Sequence, residues 1–157
     1  LIKPVASVAP PHPKIITITY QITVGHPLVR ELHGEWVGTS SAQIMAASAI
    51  QRERFGGLDP ATKAKLDQII AGDRHRLLAD IVRGRPDLIL TDDRLFDDTH
   101  FDWWAWANAD PQLARVLSGY HKVGVVRHRI IVWKRNLTLA GGERMRFEPD
   151  DVSSLDP

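Results

Sequence analysis

The chain has 157 residues, of which 43% are hydrophobic and 25% are charged, as is typical of a globular domain with a sizeable core. Its 20 Lys and Arg residues nearly balance 19 Asp and Glu residues, so the overall charge produces no field that attracts nucleic acid or an anionic membrane. The absence of cysteine excludes disulfides, thiol nucleophiles and cysteine-based zinc sites. No apolar run approaches the ~20 residues that a membrane span requires.

The composition divides the chain into three parts. Four prolines between residues 1 and 13 predict an extended, proline-rich linker, because proline fixes φ and removes backbone donors. Residues 14–136 alternate strand-like and helix-like patterns and are predicted to form a single α/β domain. Residues 137–157 contain few apolar side chains and many acids, so they are predicted to be a flexible tail.

The first half of the domain is predicted to contain two strand–helix units. β-branched and aromatic runs indicate the strands, and a proline at the first helical position with a glycine stop indicates the first helix. In chain order these elements are a strand at Ile15–Tyr20, a helix from Pro27 to Gly34, a strand at Glu35–Thr39 and a helix through Ile44–Ile50.

Polar residues before helices suggest N-caps in the middle of the chain. Ser40 or Ser41 is the expected cap of the helix through residues 44–50. Asp59 is expected to cap the next helix, Gly72 to end it, and Asp73 to cap a further helix.

The second half contains the strongest strand pattern. Asp87–Thr91 is predicted to be the third strand, and the unbroken apolar run that it contains predicts burial on both faces of a sheet. Asp110 caps a helix, and Val123–Val126 and Ile130–Trp133 are close enough to form an antiparallel hairpin. The predicted fold is therefore a small three-layer, Rossmann-like α/β sandwich with a mainly parallel sheet and a C-terminal antiparallel hairpin.

This fold places ligands beyond the carboxyl ends of the strands. The candidate ligand-binding residues there are Gln21, Ser40, Ser41, Asp92 and Asp93. Asp92 and Asp93 begin an acidic segment that contains His100, and such groups can hold a divalent cation or act as acid and base. The alternative is that these acids end a strand and cap turns, and the sequence favours this alternative.

Tryptophan is concentrated in one helix-like segment. Trp103 and Trp106 are three residues apart and are predicted to pack in the core. Trp104 points elsewhere and is a candidate platform for stacking against a sugar ring. No metal-binding, phosphate-loop or nucleophile-elbow motif occurs, so we assign no catalytic residue, metal ligand or cofactor.

The order of the motifs resembles the C-terminal soluble domain of bacterial multi-spanning membrane glycosyltransferases that use polyprenyl-phosphate sugars, relatives of the protein mannosyltransferases. The resemblance extends from Lys14 to Asn136. Its motifs are His26-Pro-Leu-Val29, Glu35-Trp36, Pro86-Asp-Leu-Ile-Leu90, Phe101-Asp-Trp-Trp104, Asp110-Pro-Gln-Leu-Ala114, Tyr120-His-Lys-Val-Gly124 and Ile131-Val-Trp-Lys-Arg135.

The resemblance implies a non-catalytic accessory domain on the extracytoplasmic, periplasmic side of the inner membrane. In that family the catalytic acids lie in the membrane domain, so no catalytic role transfers to this chain. The implied partners are the protein's own transmembrane domain and a glycan or lipid-linked sugar. One departure is Val37–Ser41, where relatives have small residues and an arginine, which puts a contact made by that stretch in doubt. Two alternatives stay open: a metal-assisted hydrolase that uses Asp92 and Asp93, and a carbohydrate-binding module that uses Trp104.

Overall fold

The computed structural model of the chain describes residues 2–136. This range forms six helices and five strands. In chain order they are α1 (Ile2–Ala6), β1 (Lys14–Ile18), α2 (His26–Glu31), β2 (Glu35–Trp36), α3 (Ile44–Arg54), α4 (Pro60–Gly84), β3 (Leu88–Thr91), α5 (Trp103–Asn108), α6 (Pro111–Leu117), β4 (Tyr120–Val126) and β5 (Ile130–Arg135). Among the described helices, none has the length and apolarity that crossing a bilayer requires. The α/β class is confirmed.

The five strands form one mixed sheet with the order β2-β1-β3-β5-β4. β1 pairs in parallel with β2 and β3, whereas β5 pairs antiparallel with both β3 and β4. The longest ladder, between β4 and β5, is antiparallel, and the parallel ladder between β1 and β2 has only two register pairs. The prediction of a mainly parallel sheet was therefore wrong.

The physical reason is the way the hairpin joins the sheet. The chain crosses from β3 through α5 and α6 to the outer edge, forms β4 there, and returns as β5 between β4 and β3. β5 is antiparallel to β4 because the turn at residues 127–129 is too short for a crossover. It is antiparallel to β3 as well, because β4 runs in the same direction as β3. The hairpin itself was predicted correctly.

Both faces of the sheet are buried by apolar side chains. Ile16 and Ile89 belong to a core shared with α3, α4, α5 and α6, and its largest fully buried side chain is Trp103. Ile15 and Leu88 belong to a second core, on the side of α1 and α2. Every residue of β3 is buried, as the unbroken apolar run predicted.

The N-terminal segment differs from the extended conformation predicted for residues 1–13. Residues Ile2–Ala6 form the short helix α1. Val5 is fully buried in the second core together with Ile15 and Leu28, and the burial of this side chain explains why the segment is held against the domain. The predicted tail at residues 137–157 lies outside the described residues.

Helix α4 is one continuous helix, so the predictions that Gly72 ends a helix and that Asp73 caps another were wrong. The Asp73 carboxylate instead accepts a hydrogen bond from the backbone N–H of Ala46, at 2.8 Å, and pairs with Arg76. Asp73 thus satisfies the first turn of α3 from a neighbouring helix. Ser40 and Ser41 do not cap α3: its N-cap residue is Gln43, which makes no side-chain capping bond.

Helices α3 and α4 form an antiparallel pair that is longer than the sheet. α3 lies antiparallel to α4, with its start near Asp73 and its end near Lys63, whose ammonium is 3.5 Å from Glu53. The 25 residues of α4 span roughly 37 Å, whereas the four residues of β3 span roughly 13 Å. The outer half of the pair therefore extends past the sheet, where Gln51 contacts Asp97 in the loop that follows β3.

Candidate functional site

The carboxyl ends of the parallel strands lie at one edge of the sheet, which we call the carboxyl edge. It comprises the segments that follow β1, β2 and β3 and the β4–β5 turn, because β4 runs in the same direction as β1. Gln21, Asp92 and Asp93 come together there around an arginine of the turn. Ser40 and Ser41 lie at the same edge, beyond β2. Trp104 lies elsewhere, against β5.

Asp92 is the centre of this edge. Its side chain is 0% exposed, and its Oδ1 accepts hydrogen bonds from Arg129 Nε at 2.6 Å and from the backbone N–H of Asp93 at 2.7 Å. Its Oδ2 is buried with no hydrogen-bond partner among the described residues. The bond to Asp92 raises the pKa of the Arg129 guanidinium, because a hydrogen bond to a carboxylate favours the charged form of the arginine.

Arg129 joins Asp92 to the end of β1. Its terminal nitrogens lie 3.4 Å from the Tyr20 hydroxyl and 3.4 Å from Asp98 Oδ1. Gln21 Nε2 donates to the same Tyr20 hydroxyl at 3.1 Å. We call these five residues the Asp92–Arg129 cluster: Tyr20, Gln21, Asp92, Asp98 and Arg129. Its charged and polar groups are directed mainly at one another.

The remaining acids of this segment also have internal partners. Asp93 Oδ1 lies 3.2 Å from Arg94 Nε. Hydrogen bonds from Thr99 and Gln51 lower the pKa of the Asp97 carboxyl to about 2. Asp102 accepts from the N–H of Ala105 at 2.8 Å and caps α5, which is the capping role that the sequence favoured for this segment.

A divalent cation has little support at Asp92 and Asp93. Within residues 2–136, no three His, Cys, Asp or Glu side chains come together as a metal-binding group. The guanidinium of Arg129 occupies the position beside Asp92 that a cation would take. Cation binding would therefore require this ion pair to break, which is unfavourable for a buried carboxylate.

Ser41 forms the only hydroxyl–imidazole contact of the described carboxyl edge. Its Oγ lies 3.3 Å from His26 Nε2, and the His26 ring lies against Trp36 with ring centres 4.8 Å apart. A catalytic imidazole is usually oriented by a hydrogen bond to a carboxylate. No carboxylate among the described residues makes such a bond to His26. Ser40 Oγ donates to the Ala42 carbonyl at 2.7 Å. Neither serine is placed as an activated nucleophile.

Trp104 is only partly available to a ligand. Its ring stacks on Trp133 with centres 3.6 Å apart and planes 5° apart, so one face of each ring is covered. Trp103 and Trp106 are 0% and 7% exposed, which confirms their predicted place in the core. The structure does not bring Trp104 together with Gln21 or Asp92.

An incomplete ring of exposed apolar side chains borders the carboxyl edge. Ile22 follows β1, Phe96 follows β3, and Val125 is next to the last residue of β4; these three side chains are 46–52% exposed. Ile44 and Met45, at the start of α3, are also exposed. We call these five residues the apolar rim. Exposed apolar side chains gathered at one edge are typical of a surface that another molecule covers.

Two polar contacts that position the segments around the sheet were missed from the sequence. Arg129 was not among the predicted site residues, although the short turn places it directly before β5, whose Ile131 pairs with Thr91. Asp80, buried on α4, accepts hydrogen bonds from the backbone N–H and the hydroxyl of Thr39, at 2.7 and 2.9 Å. The spacing of Asp73 and Asp80 could have indicated these contacts. The two residues are seven positions apart, so they lie on the same face of a helix.

Comparison of the chain with protein-family models, with curated proteins and with solved structures found no significant match.

Proposed function

We propose that this chain is a non-catalytic accessory domain of a bacterial membrane-bound, glycosyltransferase-like protein, on the extracytoplasmic face of the membrane, and that its carboxyl edge docks on the membrane part of that protein. The observation that carries the proposal is the composition of the edge: a mutually paired polar cluster bordered by exposed apolar side chains. The motif order described above supports the choice of parent protein.

The polar centre of the edge supports a binding role over a catalytic one. Asp92 is buried and ion-paired with Arg129, so it is poorly placed to transfer a proton to a substrate or to attack one. A catalytic carboxylate has to reach the reacting atoms within hydrogen-bonding distance. The cluster instead fixes the relative positions of the segments after β1 and β3 and of the β4–β5 hairpin, which carry Ile22, Phe96 and Val125.

The apolar rim supports a protein partner of appreciable size. The five rim residues come from four separate segments of the chain at the carboxyl edge. Interfaces between proteins contain both apolar contacts and hydrogen-bonded polar groups. A small-molecule site would offer polar groups that are free to bind a ligand, whereas the polar groups of the Asp92–Arg129 cluster bond mainly to one another.

We also propose that the fold is a three-layer, Rossmann-like sandwich. Its support is the pair of cores on opposite faces of the sheet, one containing Ile89 and the other Leu88. α3 and α4 supply most of one outer layer, and the short helices α1 and α2 supply the other.

Site-specific photo-crosslinking in the native host tests the docking proposal. p-Benzoylphenylalanine replaces Phe96 in the rim, and the irradiated cells are fractionated and probed with an antibody against this chain. We expect a band much larger than the chain's 17.6 kDa in the membrane pellet. We also expect peptide mapping to join position 96 to a membrane-domain segment of the same protein.

The matched control carries the photo-crosslinker at Val82, which is as exposed as the rim residues but lies in the last turn of α4, at the opposite edge of the sheet. No crosslink to a protein is expected from this position. A soluble band near 17.6 kDa would overturn the proposed parent. Equal crosslinking from positions 96 and 82 would overturn the assignment of the docking surface to the carboxyl edge.

A further inference from the structure

The edge of the sheet opposite the carboxyl edge is rich in cationic side chains. This amino edge comprises the starts of β1, β3 and β4, the end of β5 and the last turn of α4. Its six cationic residues are Lys14, Arg83, Arg85, Lys122, Lys134 and Arg135. The acids beside them are fewer: Glu35, Asp80 and Asp87.

Those acids are already paired. Glu35 lies 3.8 Å from the Lys14 ammonium, and Asp80 lies 2.6 Å from the Arg83 guanidinium. Asp87 lies 2.5 Å from Arg135 and also accepts from the backbone N–H of Lys14 at 2.9 Å.

Three cations of the amino edge have no acidic partner among the described residues: Arg85, Lys122 and Lys134. Arg85 and Lys122 are exposed, and Lys134 is half-buried. Lys134 and Arg135 also line an open depression of about 230 Å³ together with Pro10 and Asp87. The near-neutral charge of the whole chain thus conceals a local excess of positive charge.

Arg85 occupies a backbone position that disfavours it. It follows α4 with φ +46° and ψ +59°, the left-handed conformation in which helices usually end on glycine. A side chain there is strained, and the Arg85 guanidinium makes no hydrogen bond with the described residues. The fold gives no reason for an arginine at this position.

The side chains around these cations distinguish between nucleic acid and lipid headgroups as the anionic partner. Single-stranded nucleic acid would need exposed aromatic rings for base stacking, but the Tyr120 hydroxyl donates to the Pro86 carbonyl and its ring is partly buried. The exposed apolar residue near Arg85 is Val82, 57% exposed. Cations spread over a surface with an exposed aliphatic side chain suit the headgroup region of a bilayer.

We propose that the amino edge binds the surface of an anionic lipid bilayer, with Arg85, Lys122 and Lys134 facing the headgroup phosphates. This inference depends only on the charges and exposure of the amino edge. It does not depend on the proposed docking of the carboxyl edge, which uses other residues and a different assay, so either proposal can fail without the other.

Vesicle sedimentation with the full chain tests the inference. Vesicles of phosphatidylcholine alone are compared with vesicles that contain 30 mol% phosphatidylglycerol. We expect the chain to sediment with the anionic vesicles only, and the binding to be lost in 1 M salt, where the screening length falls to roughly 3 Å. Equal sedimentation with both kinds of vesicle, or with neither, would overturn the proposal.

Two matched variants locate the binding surface. Arg85→Gly and Arg127→Gly remove the same charge from the same left-handed conformation, with φ +46° and +54°, but Arg127 lies in the β4–β5 turn at the carboxyl edge. We expect Arg85→Gly to lower the partition coefficient about fivefold, since one cation near the membrane is removed. Arg127→Gly should leave the partition coefficient unchanged.

We expect both glycine variants to fold, because glycine adopts the left-handed conformation without strain at both positions. A difference in partition between them therefore reports on binding. A double variant, Lys122→Gln with Lys134→Gln, should lower partition by on the order of 25-fold. An equal loss from Arg85→Gly and Arg127→Gly would show that only the net charge matters, and it would overturn the assignment to the amino edge.

Discussion

The buried carboxylate of Asp92 has one cationic partner, Arg129. Replacing Arg129 with methionine keeps much of the aliphatic volume but leaves the Asp92 charge with only the N–H of Asp93. Because one partner of a buried pair is removed and Arg129 is itself partly exposed, we expect the free energy of unfolding to fall by about 3 kcal/mol. Urea unfolding followed by tryptophan fluorescence measures this change.

Arg127→Met is the matched control at this scale. Arg127 is exposed, two residues away in the same turn, and has no acidic partner among the described residues. Its replacement should change the free energy of unfolding by less than about 0.5 kcal/mol. Adding Asp92→Asn to Arg129→Met should restore part of the loss, because the uncompensated charge is then absent. Equal effects of the two methionine variants would mean that Arg129 does not neutralise Asp92 in solution.

At the scale of the elements, the continuity of α4 has a direct test in Gly72. No atom lies within 4 Å of the position that a Gly72 Cβ would take, and the residue is in the interior of the helix. Gly72→Ala should therefore raise the free energy of unfolding by about 1 kcal/mol, through a higher helix propensity. Thermal unfolding followed by circular dichroism is sufficient to detect the rise.

Gly84→Ala, in the same helix, should lower the free energy of unfolding instead of raising it. A Cβ at Gly84 would lie 2.5 Å from Val37 Cβ, so the substitution should destabilise the protein by about 1–3 kcal/mol. A destabilising Gly72→Ala would indicate that the helix is broken at Gly72, as the sequence had suggested.

Helix ends were predictable where the capping bond is local. Asp59 accepts from the N–H of Thr62, and Asp110 accepts from the N–H groups of Gln112 and Leu113. Both caps lie within three residues of their donors, and both were predicted. The cap of α3 could not be predicted in this way, because its acceptor, Asp73, is 27 residues away from Ala46. A sequence pattern carries no information on which distant donor a buried carboxylate meets.

At the scale of the whole molecule, the features that depend on neighbouring residues were predicted, and those that depend on distant contacts were missed. The strand-end position of Asp92 follows from the apolar run that precedes it, so its place at the carboxyl edge was foreseeable. Its pairing with Arg129 depends on β5 lying beside β3, and nothing local determines whether β4 or β5 takes that position. The overestimate of parallel pairing and the omission of Arg129 therefore have one cause, which is the position of β5 between β3 and β4.

The length of α4 relative to the sheet predicts uneven stability along one helix. The segment 60–69 contains no fully buried residue, whereas Leu77 and Ile81, beside the sheet, are 2% and 1% exposed. Local opening requires less free energy where fewer apolar contacts are broken. We expect the amides of residues 64–69 to exchange with solvent deuterium at least on the order of tenfold faster than those of residues 77–82, by residue-resolved NMR. The amides of β3, buried on both faces, provide the reference for the most protected part of the molecule.

Uniform protection along α4 would mean that the outer half of the α3–α4 pair is held as firmly as the half on the sheet. The loop that carries Phe96 would then have a rigid support, and its exposed side chain would be ordered in advance for a partner.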